Sequence, residues 1–467
     1  MSDMALPAEN VPSDKHPIGL YVLFFTEMWE RFAYYGMRAL LIYYMTKCIF
    51  LPETAPSVLG YEPFRRGLEW FFGHPFTIQE LSSQTYGLYT GLVYLTPFFG
   101  GIIADRWIGQ RKAVFIGGFL MAVAEFMLMS KALFFPALLL LIFGNGFFKP
   151  NISTQVGNLY KAGDHRRDRA FSIFYVGINV GAFFSPFLCG TVGEVYGWHY
   201  GFGVAGLGML LGLVVYLWGQ KYLAPDNVMR RASASAAADQ APAQPLTADE
   251  WKKIGALVVL CILNIVFWSV YEQQGNTLAL WVDSNTNRDL FGWTMPATWY
   301  QAFNPAFIFL LTPLILAIWK WQDKRKKEPS SIAKMAIGCL VLGLSFLILL
   351  PASRVVAAGG KASMLPLTLC TLCFTIGELY LSPVGLSLVT KLAPPRLVSM
   401  LMGMWFLSSF FGNLLCGFLG AYWEKMPHES FFIMLCILAC SAGLCMFALI
   451  KPLKHAIGHG HEETVDV

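Results

Sequence analysis

The chain has 467 residues, 56% of them hydrophobic and 13% charged, with a formal net charge of +5. A soluble domain carries about 25% charged residues, so this composition excludes an ordinary soluble enzyme and indicates a polytopic membrane protein. The basic excess lies between apolar runs, which suits membrane loops and argues against a nucleic-acid partner.

In chain order, residues 1–17 are polar and lack the basic start, apolar core and cleavage site of a signal peptide. They read as a cytoplasmic tail, with the first membrane helix as the uncleaved insertion signal. Twelve apolar runs long enough to span a bilayer follow, at about 18–46, 80–104, 112–131, 134–160, 168–190 and 200–223, then 251–283, 299–321, 331–352, 364–391, 397–423 and 429–451. The predicted fold is all-α: an N-terminal six-helix bundle over 18–223 and a C-terminal one over 251–451. Between them, 224–250 is rich in Ala, Ser, Pro and Asp and reads as a cytoplasmic linker, and 452–467 as a cytoplasmic tail. The connection over 47–79 is the longest other loop. The ten cysteines lie mostly in apolar runs and read as small hydrophobes, without metal spacing or a disulfide framework.

Basic clusters follow the even-numbered runs: Arg106/Arg111/Lys112, Lys161/Arg166/Arg167/Arg169, Arg230/Arg231 and Lys324/Arg325/Lys326/Lys327. The odd loops carry few basic residues, so the positive-inside rule places the even loops and both termini in the cytoplasm. Paired six-helix halves with this bias are the layout of a major-facilitator-type transporter, whose site lies between the halves near the midplane.

Polar residues interrupt these runs at few places. Glu27, Glu30 and Arg31 are spaced i, i+3, i+4, so one helix face carries all three, and Tyr34, Tyr35 and Arg38 extend it. A charge at the centre of a membrane helix costs roughly 2.5–3.5 kcal/mol on insertion scales, so such a stripe must face a bundle interior or a water-filled cavity. Lys149, Glu272 and Glu378 interrupt later runs, and Glu125 interrupts the third without a role to assign. Basic groups in one half and acidic groups in the other suit a zwitterion with a free ammonium and a free carboxylate. Tyr34, Tyr35, Tyr94, Asn179 and Asn304 offer neutral donors and acceptors, and Trp268 and Trp405 apolar walls. Two carboxylates sharing Arg31 cannot easily both stay charged, so Glu27 and Glu30 are candidates for taking up a proton.

These residues sit in recognisable strings. E-x-x-E-R-F at 27–32 is followed by YYGMR; GGIIADRWIGQRKAV, GFFKPNIS, FSIFYVGINVGAF, TIGELYLSPVG and GMWFLSS come later, in that order. In them the chain resembles the proton-coupled oligopeptide transporter family of the major facilitator superfamily, over nearly all of 18–450. The resemblance implies symport of di- and tripeptides with protons across a bacterial cytoplasmic membrane by alternating access. It implies that Glu27, Glu30, Arg31 and Glu272 couple protons to transport, and that Lys149 pairs with Glu272 as a gate. Glu378 would anchor the peptide amino terminus and Arg38 and Lys149 its carboxylate, with Tyr34, Tyr35, Tyr94, Asn179, Asn304, Trp405 and Ser409 lining the pocket. Asp105, Arg106 and Arg111 resemble the superfamily's cytoplasmic loop motif, a latch between helices. Many bacterial members carry two extra helices between the halves, and the linker here has no room for them.

The rival readings are a carrier of nitrate or a peptide-like drug on the same scaffold, and a non-transporting peptide receptor. An enzyme is not expected, because no nucleophile–base pair, phosphate-binding loop or metal-ligand spacing occurs. The expected partners are peptide, protons and lipid around a monomer, with no cofactor. His455, His459 and His461 read as a solvated tail.

Overall fold

A computed structural model describes residues 15–161, 164, 166–226, 246–394 and 397–457. Arg230, Arg231, His459, His461 and most of the expected linker lie outside the described residues, as does the side chain of His455.

Helices occupy all twelve apolar runs. In the N-terminal half these are α1 (Ile18–Tyr44), α3 (Ile78–Ile103), α4 (Gln110–Met127), α5 (Phe134–Asn158), α6 (Arg166–Ser185) and α8 (Trp198–Gly219), with the short α2 (Tyr61–Phe72) and α7 (Thr191–Tyr196) between them. In the C-terminal half they are α9 (Ala248–Tyr271), α10 (Thr277–Asn285), α11 (Phe303–Lys324), α12 (Ser331–Ser345), α13 (Leu350–Ala357), α14 (Met364–Leu392), α15 (Val398–Gly420) and α16 (His428–Ile457). Among the described residues, ten helical segments are long and apolar enough to cross a membrane. The other two runs are the charged ones, α1 with Glu27, Glu30, Arg31 and Arg38, and α4 with Arg111, Lys112 and Glu125.

Local chemistry sets the helix ends. Thr77 and Glu80 form a reciprocal cap on α3, and Thr247 and Glu250 do the same on α9. The run expected as one span over 251–283 is broken: α9 ends at Tyr271, Glu272–Gly275 tightens into a 3-10 turn, and α10 resumes at Thr277. The run over 331–352 divides at Phe346–Leu349 just before Pro351, whose missing N–H fits only the first turn of a new helix.

The connection over 47–79 contains an ordered helix. Gly60 and Gly73 bound α2 with φ of 83° and 76°. Phe64 packs on Phe135 with ring centroids 4.6 Å apart, while Trp70 and Phe71 stay exposed. The Phe76 N–H, at 3.0 Å, and Arg65, at 2.8 Å, hold the Glu69 carboxyl below the ordinary range. Between α10 and α11 a two-stranded hairpin pairs Asp289–Leu290 with Trp293–Thr294. All ten cysteines are free thiols.

In the N-terminal half α1 packs on α6 and α8, α4 on α5 and α8, and α3 on α5; in the C-terminal half α9 packs on α15 and α16, and α12 on α14 and α16. Across the halves α3 meets α15 and α6 meets α11. The α3–α15 seam is backbone against backbone. A Cβ on Gly87 would lie 2.6 Å from the Asn413 carbonyl, and one on Gly417 2.8 Å from the Ser83 carbonyl. Gly87→Val is therefore expected to destabilise the protein by about 1–3 kcal/mol through overpacking, seen as a lower melting temperature in detergent. Gly255→Val, where a Cβ meets nothing within 4 Å, is the control and leaves it unchanged.

Candidate functional site

The charged stripe on α1 is turned inward. Glu27, Glu30 and Arg31 are all buried. Arg31 grips Glu30 with two donors, Nε to Oε2 and Nη2 to Oε1 at 2.8 Å, and its Nε also lies 3.2 Å from Glu27 Oε1. Such a fork–fork pair fixes Glu30 as the anion matched to the guanidinium. Glu27 is held less completely, and among the described residues its Oε2 has no hydrogen-bond partner. The same guanidinium lies 5.2 Å from the centre of the Tyr34 ring. One cation thus serves two carboxyls.

Arg38 lies two turns further along α1, about 10 Å by helical rise. Its Nη2 donates to Glu272 Oε2 and its Nε to the Tyr86 hydroxyl at 2.7 Å. This pair ties α1 to the end of α9 across the two halves. The pairing of Lys149 with Glu272 that the resemblance implies is not the one formed here. The 3-10 turn that ends α9 presents Glu272 to the Arg38 fork, while Lys149 Nζ rests 4.4 Å from the centre of the Tyr94 ring. Among the described residues Lys149 makes no ion pair. Arg38 is occupied by Glu272, so of the two cations expected to hold a peptide carboxylate, Lys149 is the one left without an ion pair among the described residues.

On the opposite side, Asn304 Nδ2 donates to Glu378 Oε2 at 2.9 Å and to Thr375 Oγ1 at 3.0 Å. Trp405 is buried against Gly385, and Ser409, also buried, accepts through its carbonyl from Asn413 Nδ2 at 2.9 Å. Tyr34 and Tyr35 meet edge to face, 5.3 Å between centroids. Asn179 donates to the Tyr175 carbonyl of its own helix, so its amide is committed locally. Trp268 packs edge-on to Tyr271 at 5.3 Å, and among the described residues its Nε1 has no hydrogen-bond partner.

The loop after α3 does something the sequence did not indicate. Gln110 Nε2 donates to Asp105 Oδ1 at 3.1 Å, and Arg106 is exposed. Arg111 binds the chain just after α8: its side chain donates to the carbonyls of Leu223 and Ala224 (3.0 Å from Nε to the latter), while its N–H is accepted by Asp226 at 3.1 Å. Gly109, with φ of 83°, makes room for the Asp226 carboxylate. Arg111 thus anchors the start of the expected linker.

A second cross-half network was missed by sequence reasoning. Lys47 Nζ lies 2.6 Å from Asp283, Arg288 lies 3.2 Å from Asp283 and 3.6 Å from Glu194, and Glu194 accepts the N–H groups of Ala297 and Thr298 at 2.9 and 2.7 Å. Trp299 Nε1 donates to Thr191 Oγ1 at 2.8 Å, Ser83 to Asn276 at 2.8 Å, and Lys425 pairs with Glu80. These contacts gather at the α1 C-terminal end of the molecule. The only signal in the sequence was a scatter of loop charges, which has no period to fix partners. Among the described residues, no group of three or more His, Cys, Asp or Glu is placed to hold a metal ion.

An all-α, multi-pass membrane protein with a polar seam between its halves is a member of the major-facilitator-like fold class. A sequence model of the POT family matches residues 112–237 and 226–432, and the chain belongs to that family. It is similar to the peptide transporter YePEPT of Yersinia enterocolitica subsp. palearctica serotype O:3 (strain YE-P4), at 32% identity over 95% of this chain and 96% of the relative. It is similar also to a di-/tripeptide transporter of Lactococcus lactis subsp. cremoris, at 33% identity over 95% and 97%. Its structure matches a crystal structure of peptide transporter POT in complex with sulfate, with a TM-score of 0.82 at 32% identity over 96% and 97% of the two chains.

Proposed function

We propose that this protein is a proton-coupled symporter of di- and tripeptides that works by alternating access. The observation that carries the reading is the polarity of the site. Lys149, without an ion pair among the described residues, faces the peptide carboxylate from the N-terminal half, and Glu378, with Asn304, faces the ammonium group from the C-terminal half. Tyr34, Tyr35, Tyr94, Trp405 and Ser409 complete the pocket. Glu27 and Glu30, held against Arg31, take up the proton, and Arg38–Glu272 is the gate that responds to it. An inward charge movement supplies roughly 2.3 kcal/mol per 100 mV.

The architecture that serves this role is twelve spans in two six-helix bundles, 18–223 and 251–451, joined by the linker at 224–250. The basic even-numbered loops support cytoplasmic termini in a bacterial cytoplasmic membrane. With that orientation the end sealed by Lys47–Asp283 and Glu194 is the outer one, and the conformation is inward-facing. We take the working unit to be the monomer.

The deciding experiment is uptake of labelled dialanine into proteoliposomes, with and without an imposed proton gradient. Uptake is expected to need the gradient and to be inhibited by excess unlabelled dipeptide. Inhibition by nitrate and not by dipeptide overturns the peptide reading, and tight binding of peptide without flux means a receptor.

A further inference from the structure

Behind the α1 cluster, α4 carries one more carboxyl group that the transport reading leaves unused. Glu125 is completely buried, and among the described residues neither of its oxygens has a hydrogen-bond partner. The helix packs on α1, α5 and α8. The titratable groups acting on Glu125 are Glu30 from α1, Tyr89 from α3 and Cys189 from the turn after α6. Facing α4 from α8 are the apolar Met209 and Leu213, and α5 offers the buried amide of Asn145, itself unpartnered at both polar atoms. A buried carboxylate without a hydrogen-bond partner does not keep its charge in such a place. On α1, against which α4 packs, Arg31 engages both oxygens of Glu30.

We propose that Glu125 is a proton-holding residue of the coupling cluster, exchanging its proton with Glu30. In this conformation the proton sits on Glu125 and Glu30 is the anion in the Arg31 fork. When that fork opens, the O–H bond on Glu125 breaks, leaving its electron pair on that oxygen, and an O–H bond forms on Glu30. No other reactant is required. The inference rests on the symport reading, which wild-type dialanine uptake tests separately in the same vesicles.

The test is the proton-to-peptide ratio, read from the membrane potential at which dialanine flux reverses, together with the pH profile of driven uptake. With Glu125→Gln the ratio falls by one, and the accumulation sustained by about 100 mV drops roughly 50-fold, the concentration ratio that one charge supports. Glu125→Asp, which keeps a carboxyl, retains the wild-type ratio. A Glu125→Gln ratio and pH profile equal to wild type overturn the proposal, since a merely packing residue would behave so. If Glu125→Gln does not assemble, infrared spectra decide. A protonated-carboxyl C=O band in the wild type must shift in Glu125→Asp and vanish with rising pH in step with driven uptake. A wild-type spectrum without such a band overturns the assignment.

Discussion

Glu30→Gln is expected to abolish gradient-driven accumulation of peptide while leaving counterflow exchange at least partly intact. Gln preserves the shape of the side chain but cannot carry the charge that both Arg31 donors grip. The guanidinium is then left with Glu27 alone, and the site no longer changes charge at this position when a proton arrives. Loss of one coupled charge removes about 50-fold of accumulation at a potential of about 100 mV. Counterflow needs only binding and rocking, so it reports on the pocket independently. Equal loss of both activities, measured in the same proteoliposomes, would remove Glu30 from the coupling role.

The second large effect is expected at the gate. Arg38 and Glu272 are a nearly dry ion pair whose members belong to opposite halves, so the pair stabilises only the closed arrangement. Removing one partner of a buried pair costs about 3–5 kcal/mol, because the remaining charge is uncompensated. Glu272→Gln should therefore shift the conformational equilibrium toward the outward-open state by about two to four orders of magnitude. Spin labels at the exposed positions 62 and 361, one in each half, would read this as a longer distance. Replacing both members by methionine removes the stranded charge, so the double variant should return toward the wild-type distribution. A distance unchanged in Glu272→Gln would mean that the pair does not gate.

The parts of this site legible in the sequence were those where hydrocarbon makes polarity costly. Glu27, Glu30 and Arg31 declared themselves because their spacing puts three expensive groups on one face of a membrane helix. Glu378 and Lys149 stood out for the same reason. Partner choice was not legible. Lys149 and Arg38 are both cations in reach of the cavity, and which one takes Glu272 depends on the 3-10 turn that ends α9. No propensity in VFWSVYEQQGN fixes that turn. The helices followed from apolar runs, whereas α2 hid in a connection with mixed charge, and Glu194 lay between two expected spans, where no periodicity says which backbone N–H groups it will cap. Arg111 carried its expected motif but a different partner, because the start of the linker, and not a neighbouring span, lies against its side chain.

The glycine seam between α3 and α15 separates two kinds of control. At Gly87 and Gly417 its contacts are van der Waals contacts against main chain, so their strength is indifferent to pH, to membrane potential and to ionic strength. The seam contributes a constant bias toward closure. Everything that makes the equilibrium responsive must then come from the few charged pairs added to it. The resting point of the machine and its sensitivity are thereby set by different residues, and either can be tuned without resetting the other.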